Sequence, residues 1–392
     1  MNGVAEPSAT NGRPPRRDRF VVLDSWRGLA ALGVVWHHVN APNAFFMNPL
    51  HDHMDMAVDF FFVLSGFVIA ASYGERLAEG FSLGKFMFLR FMRLWPLHVV
   101  VLAAFVVLEL VFLGLGSFDF LQGREPFGAG RSPAELLATT FLLQEYFFPH
   151  RYPWNTASWS ISVELGLYLF AGAVFHLFGR RAVPAALLVS LAAGLVLMSL
   201  DDLTWSGVLR GLTGFGLGIA CQWVWQRTRD LRFAAGTATL AELAMVAAIL
   251  ASIAFVSVAL VTDLVFALGV WLFAYQRGAV SRLLLRPAFV WLGTLSYSIY
   301  MVHGMVVGRT YDVLGLVQSS TGVTLAQSGL GGADRLLLGP AGALAVFAAM
   351  LAMTVVVAWV TWRFVEDPAR RWSKRRAERW GAGAAERAAP TI

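Results

Sequence analysis

The first chemically distinctive stretch is an apolar run near the amino end that carries Asp24, Arg27, His37 and His38. Arg27 and His38 are separated by ten residues, which on an α-helix puts them on one face, about 16 Å apart along the axis. Asp24 lies on the same side as Arg27. A charge at the bilayer centre costs roughly 3 kcal/mol or more, so such residues predict a function. An imidazole, with an unperturbed pKa of about 6.5, suits proton transfer.

Two further motifs could bind a substrate or serve the fold. Ser65 and Gly66 interrupt an apolar run, which permits the close approach of either a ligand or a neighbouring helix. Arg90 and Arg93 lie one turn apart in the loop that ends at Pro96. They could hold the phosphates of an anionic ligand, or they could anchor the chain at the cytoplasmic face.

The composition predicts the element that must position these groups. Of 392 residues, 57% are hydrophobic and only 14% charged, and the mean hydropathy is +0.61. Repeated apolar runs near 20 residues predict an all-α, polytopic membrane bundle. The single cysteine, Cys221, excludes an internal disulfide and any cysteine metal cluster. The net charge is +6, and the basic residues lie in short loops. This distribution is typical of residues that set membrane topology and argues against nucleic-acid binding.

Ten membrane spans account for the apolar runs. They are placed at 21–39, 57–73, 94–116, 159–178, 182–200, 205–226, 238–257, 259–276, 288–308 and 341–362. With the amino end inside, 24 of the 31 Lys and Arg residues fall in cytoplasmic segments and five in outside loops. This asymmetry predicts ten helices with both termini in the cytoplasm.

The remaining segments divide the chain into a membrane domain and two tails. Residues 1–19 are predicted to be a disordered basic tail, and residues 371–392 a disordered basic cytoplasmic tail. The membrane domain is 20–370, with a main outside loop at 117–158. Within that loop, the apolar stretch 134–148 is predicted to be an outer-face or re-entrant helix.

This topology places His38, Glu164, Arg210 and His303 at similar depth on four helices. Buried ionisable groups must pair or line a wet cavity, so we expect one central pocket open toward the outer half. Alternatives stay open for each residue. Glu164 and Arg210 could form a structural ion pair, His303 could bond two helices together, and His37 could be an interfacial imidazole.

Six stretches, in this order, resemble acyltransferase family 3, the integral membrane proteins that O-acylate bacterial surface glycans and related acceptors. They are Arg27 with ten residues to His38, Phe60 to Gly66, Arg90 to Pro96, Trp159-Ser160 with Glu164 and Tyr168, Gly293 to His303, and the closing Arg363 to Pro368. The resemblance covers about residues 20–370, and the ten-helix core of the family agrees with the topology above.

The resemblance implies a membrane O-acyltransferase that moves an acyl group, commonly acetyl, from cytoplasmic acyl-CoA to a hydroxyl of a glycan such as exopolysaccharide or lipopolysaccharide. His38 is expected to be the catalytic base, oriented by Glu164 or another acceptor, or else to carry a transient acyl group. The expected substrate-binding residues are Asp24, Arg27, Ser65, Arg90, Arg93, Trp159, Ser160, Arg210, Tyr297, Tyr300 and His303.

Acyl-CoA is then a co-substrate, with no bound cofactor, no metal and no nucleic acid. The partners are membrane lipids and a carbohydrate or lipid-linked glycan in the bacterial cytoplasmic (inner) membrane. Some family members carry an appended extracytoplasmic domain; this chain resembles the core alone, so a second transfer step would need a separate partner. The alternative is a proton-coupled secondary transporter with an intramembrane His/Glu/Arg site.

Overall fold

A computed structural model describes residues 19–115, 127–128, 130–149, 151–199, 204–256, 258–327 and 334–387. Within these residues the chain is almost wholly helical, which confirms the predicted all-α class. The strands are β1 (Ala326–Gln327) and β2 (Arg335–Leu336), paired antiparallel with Ala326 opposite Leu336. Residues 1–18 of the predicted amino-terminal tail at 1–19, and residues 117–126, 129 and 150 of the predicted outside loop, lie outside the described residues.

Sixteen α-helices are described, several of them joined by short 3₁₀ or π-helical turns. They are α1 (Val21–His37), α2 (Pro49–Asp52), α3 (Ala57–Ile69), α4 (Glu75–Ala78), α5 (Leu83–Leu115), α6 (Pro133–Thr140), α7 (Gln144–Phe147), α8 (Ser158–Phe178), α9 (Ala182–Ser199), α10 (Ser206–Thr228), α11 (Ala235–Phe255), α12 (Ala259–Phe273), α13 (Ala279–Leu284), α14 (Pro287–Thr321), α15 (Pro340–Thr361) and α16 (Asp367–Arg387).

Each of the ten predicted spans coincides with a helix of this set. By length and composition, six helical segments of the described chain could cross a membrane, and one of them, Ser158–Ser199, contains both α8 and α9. Helix α12 is apolar but shorter, at 15 residues. The protein is therefore a multi-pass membrane protein, whereas the count of ten crossings and the side of each terminus stay predictions.

Helices α1 and α14 pack at their closest through a pair of glycines. A Cβ added to Gly28 would lie 2.7 Å from the backbone nitrogen of Gly293, and one added to Gly293 would lie 2.2 Å from the carbonyl oxygen of Asp24. Only residues without a side chain permit such an approach. This crossing sets α1 beside α14, so that the end of α1 that carries His37 and His38 meets the middle of α14, which carries His303.

Helices α3 and α10 use the same device. A Cβ on Gly66 would lie 2.0 Å from the carbonyl oxygen of Phe215, and one on Gly218 would lie 2.0 Å from that of Val63. Gly66 therefore admits a neighbouring helix rather than a ligand, which decides between the two interpretations of this glycine. Its neighbour Ser65 points elsewhere, toward α8.

Helix α5 begins earlier than the sequence predicted. The loop expected before residue 94 is helical from Leu83, so Arg90 and Arg93 project from a helix that is 33 residues long. Pro96 lies inside this helix, where it removes one backbone donor without ending the helix. Side-chain packing along an apolar helix outweighs the local cost of the proline.

The apolar stretch 134–148 folds as α6 and α7 and lies against the middle of neighbouring helices. The carbonyl of Thr140 accepts from the indole of Trp95 at 2.9 Å, and that of Thr139 lies 2.7 Å from Nε2 of His98. Unpaired carbonyls are costly in an apolar environment, so these donors compensate the end of α6. This packing favours the re-entrant alternative over a helix on the outer face.

The carboxyl-terminal segment differs from the prediction. Residues 371–387, expected to be disordered, continue α16, which starts at Asp367. The Asp367 carboxylate pairs with Arg370 at 2.8 Å and with Arg371 at 2.5 Å. An acid in the first turn with cations one turn later stabilises a helix, and the ring of Trp380 packs 4.9 Å from that of Phe88 on α5.

Candidate active site

Two histidines meet where α1 and α14 run side by side. The ring centroids of His38 and His303 are 4.7 Å apart in an edge-to-face arrangement. His303 is 1% exposed, and its Nδ1 lies 2.6 Å from the carbonyl oxygen of Tyr300. The structure thus brings together the first and ninth predicted spans as the sequence analysis expected.

His38 has one ring nitrogen committed and is half-buried. Its Nδ1 lies 2.8 Å from the carbonyl oxygen of Val34, one turn back on α1. A carbonyl only accepts, so Nδ1 carries the hydrogen and, in the neutral ring, the lone pair stays on Nε2. This is the tautomer that a general base needs.

A chain of contacts leads from His303 to a polar cleft. The ring of Tyr300 is 5.7 Å from that of His303, and its hydroxyl lies 2.7 Å from the Oγ of Ser160 on α8. Both Tyr300 and Ser160 line the cleft. His38 is therefore connected to the cleft through one histidine and one tyrosine.

The cleft lies between α1, α3, α5, α8 and α14 and has an empty volume of about 830 Å³, counted to where it opens. It combines an apolar wall with a cationic side and a carboxylate. Eight predicted site residues line it, namely Arg27, Ser65, Arg90, Arg93, Ser160, Glu164, Tyr297 and Tyr300, together with Tyr168.

Glu164 is held inside this cleft by two hydroxyl groups. Ser65 donates to its Oε1 at 2.9 Å, and Tyr168 donates to the same oxygen at 2.5 Å. Of the two predicted ways to orient His38, by Glu164 or by another acceptor, the geometry gives the second, because the carbonyl oxygen of Val34 contacts Nδ1 of that imidazole. Glu164 instead links α3 to α8 through Ser65 and lines the cleft.

The three arginines of the cleft differ in how their charge is balanced. Arg93 pairs with the buried Glu366, which also accepts from Ser298 at 2.7 Å. Arg90 donates to the phenol of Tyr73 at 3.2 Å, a neutral partner. Arg27 has Asp24 at 3.6 Å, and both side chains are partly exposed. Arg90 and Arg27 thus keep most of their charge available to an anion, whereas Arg93 does not.

Two π-helical turns place these partners. Ala70–Gly74 carries Tyr73 toward Arg90, and Trp362–Glu366 carries Glu366 toward Arg93. A π-turn inserts an extra residue into a helix and rotates the side chains that follow, and such turns are frequent at functional sites. Through these two turns, the ends of α3 and α15 contact α5.

Arg210 belongs to a separate cluster. Its guanidinium donates to both oxygens of Asp59, at 3.0 and 2.6 Å, and reaches Asp55 at 3.3 Å. It also lies 5.5 Å from the ring of Trp159. The sequence analysis expected His38, Glu164, Arg210 and His303 to share one central pocket. In the described part of the chain, Glu164 lines the cleft, whereas Arg210 and Trp159 are not among its lining residues.

The sequence analysis missed the partners of its own cations. Asp59, Asp55, Glu366 and Tyr73 were not chosen as site residues, although each binds a chosen arginine. The sequence did indicate that such partners exist, because an arginine inside a membrane protein is usually paired with an acidic side chain. The identity of that acid depends on which helices are neighbours.

Fold and cleft together define a multi-pass helical membrane protein with a cleft lined by three arginines and a carboxylate. Comparison with known proteins is more specific. Residues 20–363 match the acyltransferase domain family, and the chain belongs to that family. The protein is therefore a membrane acyltransferase that transfers groups other than aminoacyl groups.

Two relatives support this assignment. The acyltransferase MdmB of Streptomyces mycarofaciens is 29% identical over 406 aligned residues, covering 93% of this chain and 95% of MdmB. Protein 2 in the picA locus of Rhizobium radiobacter is 34% identical over 192 residues, covering 47% of this chain and 94% of that protein. No solved structure matches the chain.

Proposed function

We propose that the protein transfers an acyl group, commonly acetyl, from cytoplasmic acyl-CoA to a hydroxyl of a surface glycan, with His38 as the base. The observation that carries this proposal is the cleft. It is lined by Arg90, whose hydrogen-bond partner is neutral, and by Arg27, whose contact with Asp24 is partly exposed, and it connects through Tyr300 and His303 to the imidazole of His38, whose Nδ1 is bound to a carbonyl. Phosphates bind arginine through paired, charge-assisted hydrogen bonds.

In the proposed reaction the acceptor hydroxyl loses its proton to Nε2 of His38 as its oxygen attacks the thioester carbonyl. The new carbon–oxygen bond forms, the carbon–sulfur bond breaks, and the proton passes from His38 to the departing thiolate. Arg27 and Arg90 hold the phosphates of the donor. Its long, thin acyl-carrying arm occupies the cleft between α3, α8 and α14.

The proposed acceptor and membrane rest on the predicted orientation of the helices. With α1 running outward, Arg27 faces the cytoplasmic donor and His38 faces an acceptor on the outer side of the inner membrane. A glycan hydroxyl, free or lipid-linked, fits such a position. The transporter alternative has no supporting observation, and MdmB is itself named an acyltransferase.

Replacement of His38 tests the proposal directly. Membranes that contain His38→Gln should release no thiol from acetyl-CoA above the rate without enzyme, because the base is lost, while expression and unfolding temperature are preserved. His37→Gln is the matched control, since His37 is the adjacent imidazole, with its Nδ1 2.9 Å from the carbonyl of His51. Normal thiol release by His38→Gln would refute the mechanism.

The acceptor is identified by a separate measurement. Mass spectrometry of surface glycans from a deletion strain and its parent should reveal a lost acyl mass. The parent gene should restore the acyl mass in the deletion strain, and the His38→Gln gene should not. This result would show that the glycan is the acceptor of the reaction that depends on His38. If glycans are unchanged and an extractable metabolite loses the mass, the acceptor class is wrong and the transfer chemistry stands.

A further inference from the structure

One buried acid takes no part in the cleft. Asp263 is the only ionisable residue of α12, it is fully buried, and neither of its carboxyl oxygens has a hydrogen-bond partner. Among the acids of the described chain, it is the only one with both oxygens in this condition. Such a group calls for an explanation, because buried polar atoms are nearly always paired.

The charged neighbours of Asp263 are Asp59 on α3 and Arg210 on α10. Arg210 already donates to both oxygens of Asp59 and reaches Asp55. Of the other helices packed on α12, α9 has no ionisable residue, and Glu242 of α11 accepts from the backbone of Gly278 at the start of α13. Helix α1 also packs on α12, but its Arg27 pairs with Asp24 at 3.6 Å and its His37 has Nδ1 2.9 Å from the carbonyl oxygen of His51. Among the described residues, the charged groups that act on Asp263 are therefore Asp59 and Arg210.

Charge balance decides the state of this cluster. If Asp55, Asp59 and Asp263 were all ionised, three carboxylates would share one guanidinium, and the one without a hydrogen bond would be fully buried. An ionised carboxylate without a partner in an apolar interior costs far more than its neutral form. Arg210 donates hydrogen bonds to Asp59 and reaches Asp55, whereas neither oxygen of Asp263 has such a donor, which leaves Asp263 as the group that binds a proton.

We propose that Asp59 and Asp263 form a proton-binding site in the core of the protein, in which Asp263 carries the proton and ionised Asp59 holds Arg210. The proton comes from water and forms an O–H bond on the Asp263 carboxylate. This site is distinct from the cleft and does not depend on which acyl donor or acceptor the enzyme uses.

The proton-binding site is linked to the cleft through Arg210, Trp159 and Ser160. The Arg210 guanidinium lies 5.5 Å from the ring of Trp159, and the next residue, Ser160, pairs with Tyr300 in the cleft wall. Loss of the proton from Asp263 would put a third carboxylate anion beside Arg210, after Asp59 and Asp55, and would draw the guanidinium away from Asp59 and Trp159. Bound proton and cleft wall are therefore coupled through Arg210.

Infrared spectroscopy of the purified protein tests this without any substrate. The parent should have the carbonyl-stretch band of a protonated carboxylic acid at neutral pH, shifted in heavy water, and Asp263→Asn should lose it. Asp55→Asn is the matched control, because it removes a partly exposed carboxylate from the same cluster and should keep the band. Asp263→Asn should unfold at the parental temperature, whereas Asp59→Asn, which leaves Arg210 without its main partner, should unfold lower.

Three results would overturn the proposal. The band could be absent from the parent, it could persist in Asp263→Asn, or it could disappear in Asp55→Asn. If Asp263→Asn does not fold, Asp263→Glu keeps a carboxyl at this position and must shift the band; an unshifted band would assign the proton elsewhere. Each readout is independent of thiol release, so the proposed transfer reaction and the proton site can fail separately.

Discussion

At the scale of single residues, the arginines of the cleft differ by their partners. Arg93 and Arg90 lie one turn apart on α5 and look equivalent in the sequence. In the structure, Arg93 is paired with a buried carboxylate and Arg90 with a phenol. A guanidinium that is already neutralised contributes to the fold, and one that is not contributes to anion binding.

Substitution should separate these roles. Arg93→Ala should lower the stability by about 3–5 kcal/mol, because it leaves Glu366 buried without its cation. Arg90→Ala should change stability by about 1 kcal/mol or less, since it removes one hydrogen bond to a neutral group, and should raise the KM for acyl-CoA. Thermal unfolding in detergent and thiol-release kinetics measure both effects.

The double variant Arg93→Met with Glu366→Leu is the control. Replacement of a buried ion pair by apolar residues is often neutral or stabilising, so most of the lost stability should return. If Arg90→Ala were the more destabilising change, or if Arg93→Ala affected only the KM, the assignment of the two arginines would be reversed.

At the scale of elements, pairs of glycines set the helix crossings that the site needs. Gly66 and Gly218 let α3 approach α10, and this contact places Ser65 opposite Glu164 and Asp59 opposite Arg210. Within the interior, a methyl group at such a point must push two backbones apart. The crossing is therefore a precondition for both polar clusters.

Two separate glycine-to-alanine substitutions, one on α3 and one on α14, test the importance of the α3–α10 crossing. Gly66→Ala should lower the unfolding temperature and the activity together, because its Cβ would overlap the carbonyl of Phe215 on α10. Gly308→Ala, in the middle of α14 with no atom within 4 Å of the added Cβ, should be neutral or stabilising by about 0.5–1 kcal/mol. Equal effects at both positions would contradict the crossing argument.

The start of α6 predicts a dependence on pH. Burial alone would raise the pKa of Glu135, but hydrogen bonds from Ser132 and the charge of Arg151 outweigh it, so the pKa lies below its usual value. A carboxylate with a depressed folded-state pKa stabilises the fold above its unfolded pKa of about 4.3, and this contribution is lost as the pH falls through the folded-state value.

Hydrogen exchange of α6 measures this directly. Protection of α6 should fall with acidification in the parent, and in Glu135→Gln it should be low and less dependent on pH. Glu79→Gln, an exposed acid outside α6, is the control and should behave as the parent does. If the protection of α6 rose on acidification, the predicted direction of the Glu135 contribution to stability would be wrong.

At the scale of the whole molecule, two helices are much longer than the apolar core of a bilayer is thick. Helix α14, with 35 residues, is about 52 Å long, and α5 is about 50 Å long with 33 residues, whereas an apolar bilayer core measures about 30 Å. Helix α5 carries Arg90 and Arg93 in its early turns, and α14 carries His303 near its middle. The predicted orientation places the arginines on the cytoplasmic side and the histidines on the outer side.

Cysteine labelling tests this orientation. The one natural cysteine is buried, so Cys221→Ser gives a clean background. A membrane-impermeant maleimide should label Val323→Cys, at the exposed end of α14, in intact spheroplasts. It should label Glu79→Cys, in the exposed turn before α5, only after the membrane is permeabilised. The reverse pattern would invert the topology and with it the sides of donor and acceptor.

The sequence by itself determined the class of fold, the positions of the helices and most of the polar residues of the cleft. Apolar runs and their bounding charges are local properties, so α8, for example, was predicted to within one residue of its start and at its observed end. The same holds for the polar stripe from Arg27 to His38, because helical periodicity alone puts these residues on one face.

Only the tertiary structure decided which polar groups meet. Depth in the membrane suggested that Glu164, Arg210, His38 and His303 share one pocket, but depth carries no information about which helices are neighbours. Close packing at the glycine crossings pairs Arg210 with Asp59 and sends Glu164 to Ser65. Partner choice for a buried charge is a property of helix contacts, and for that reason Asp263 and Glu366 became visible only in the folded protein.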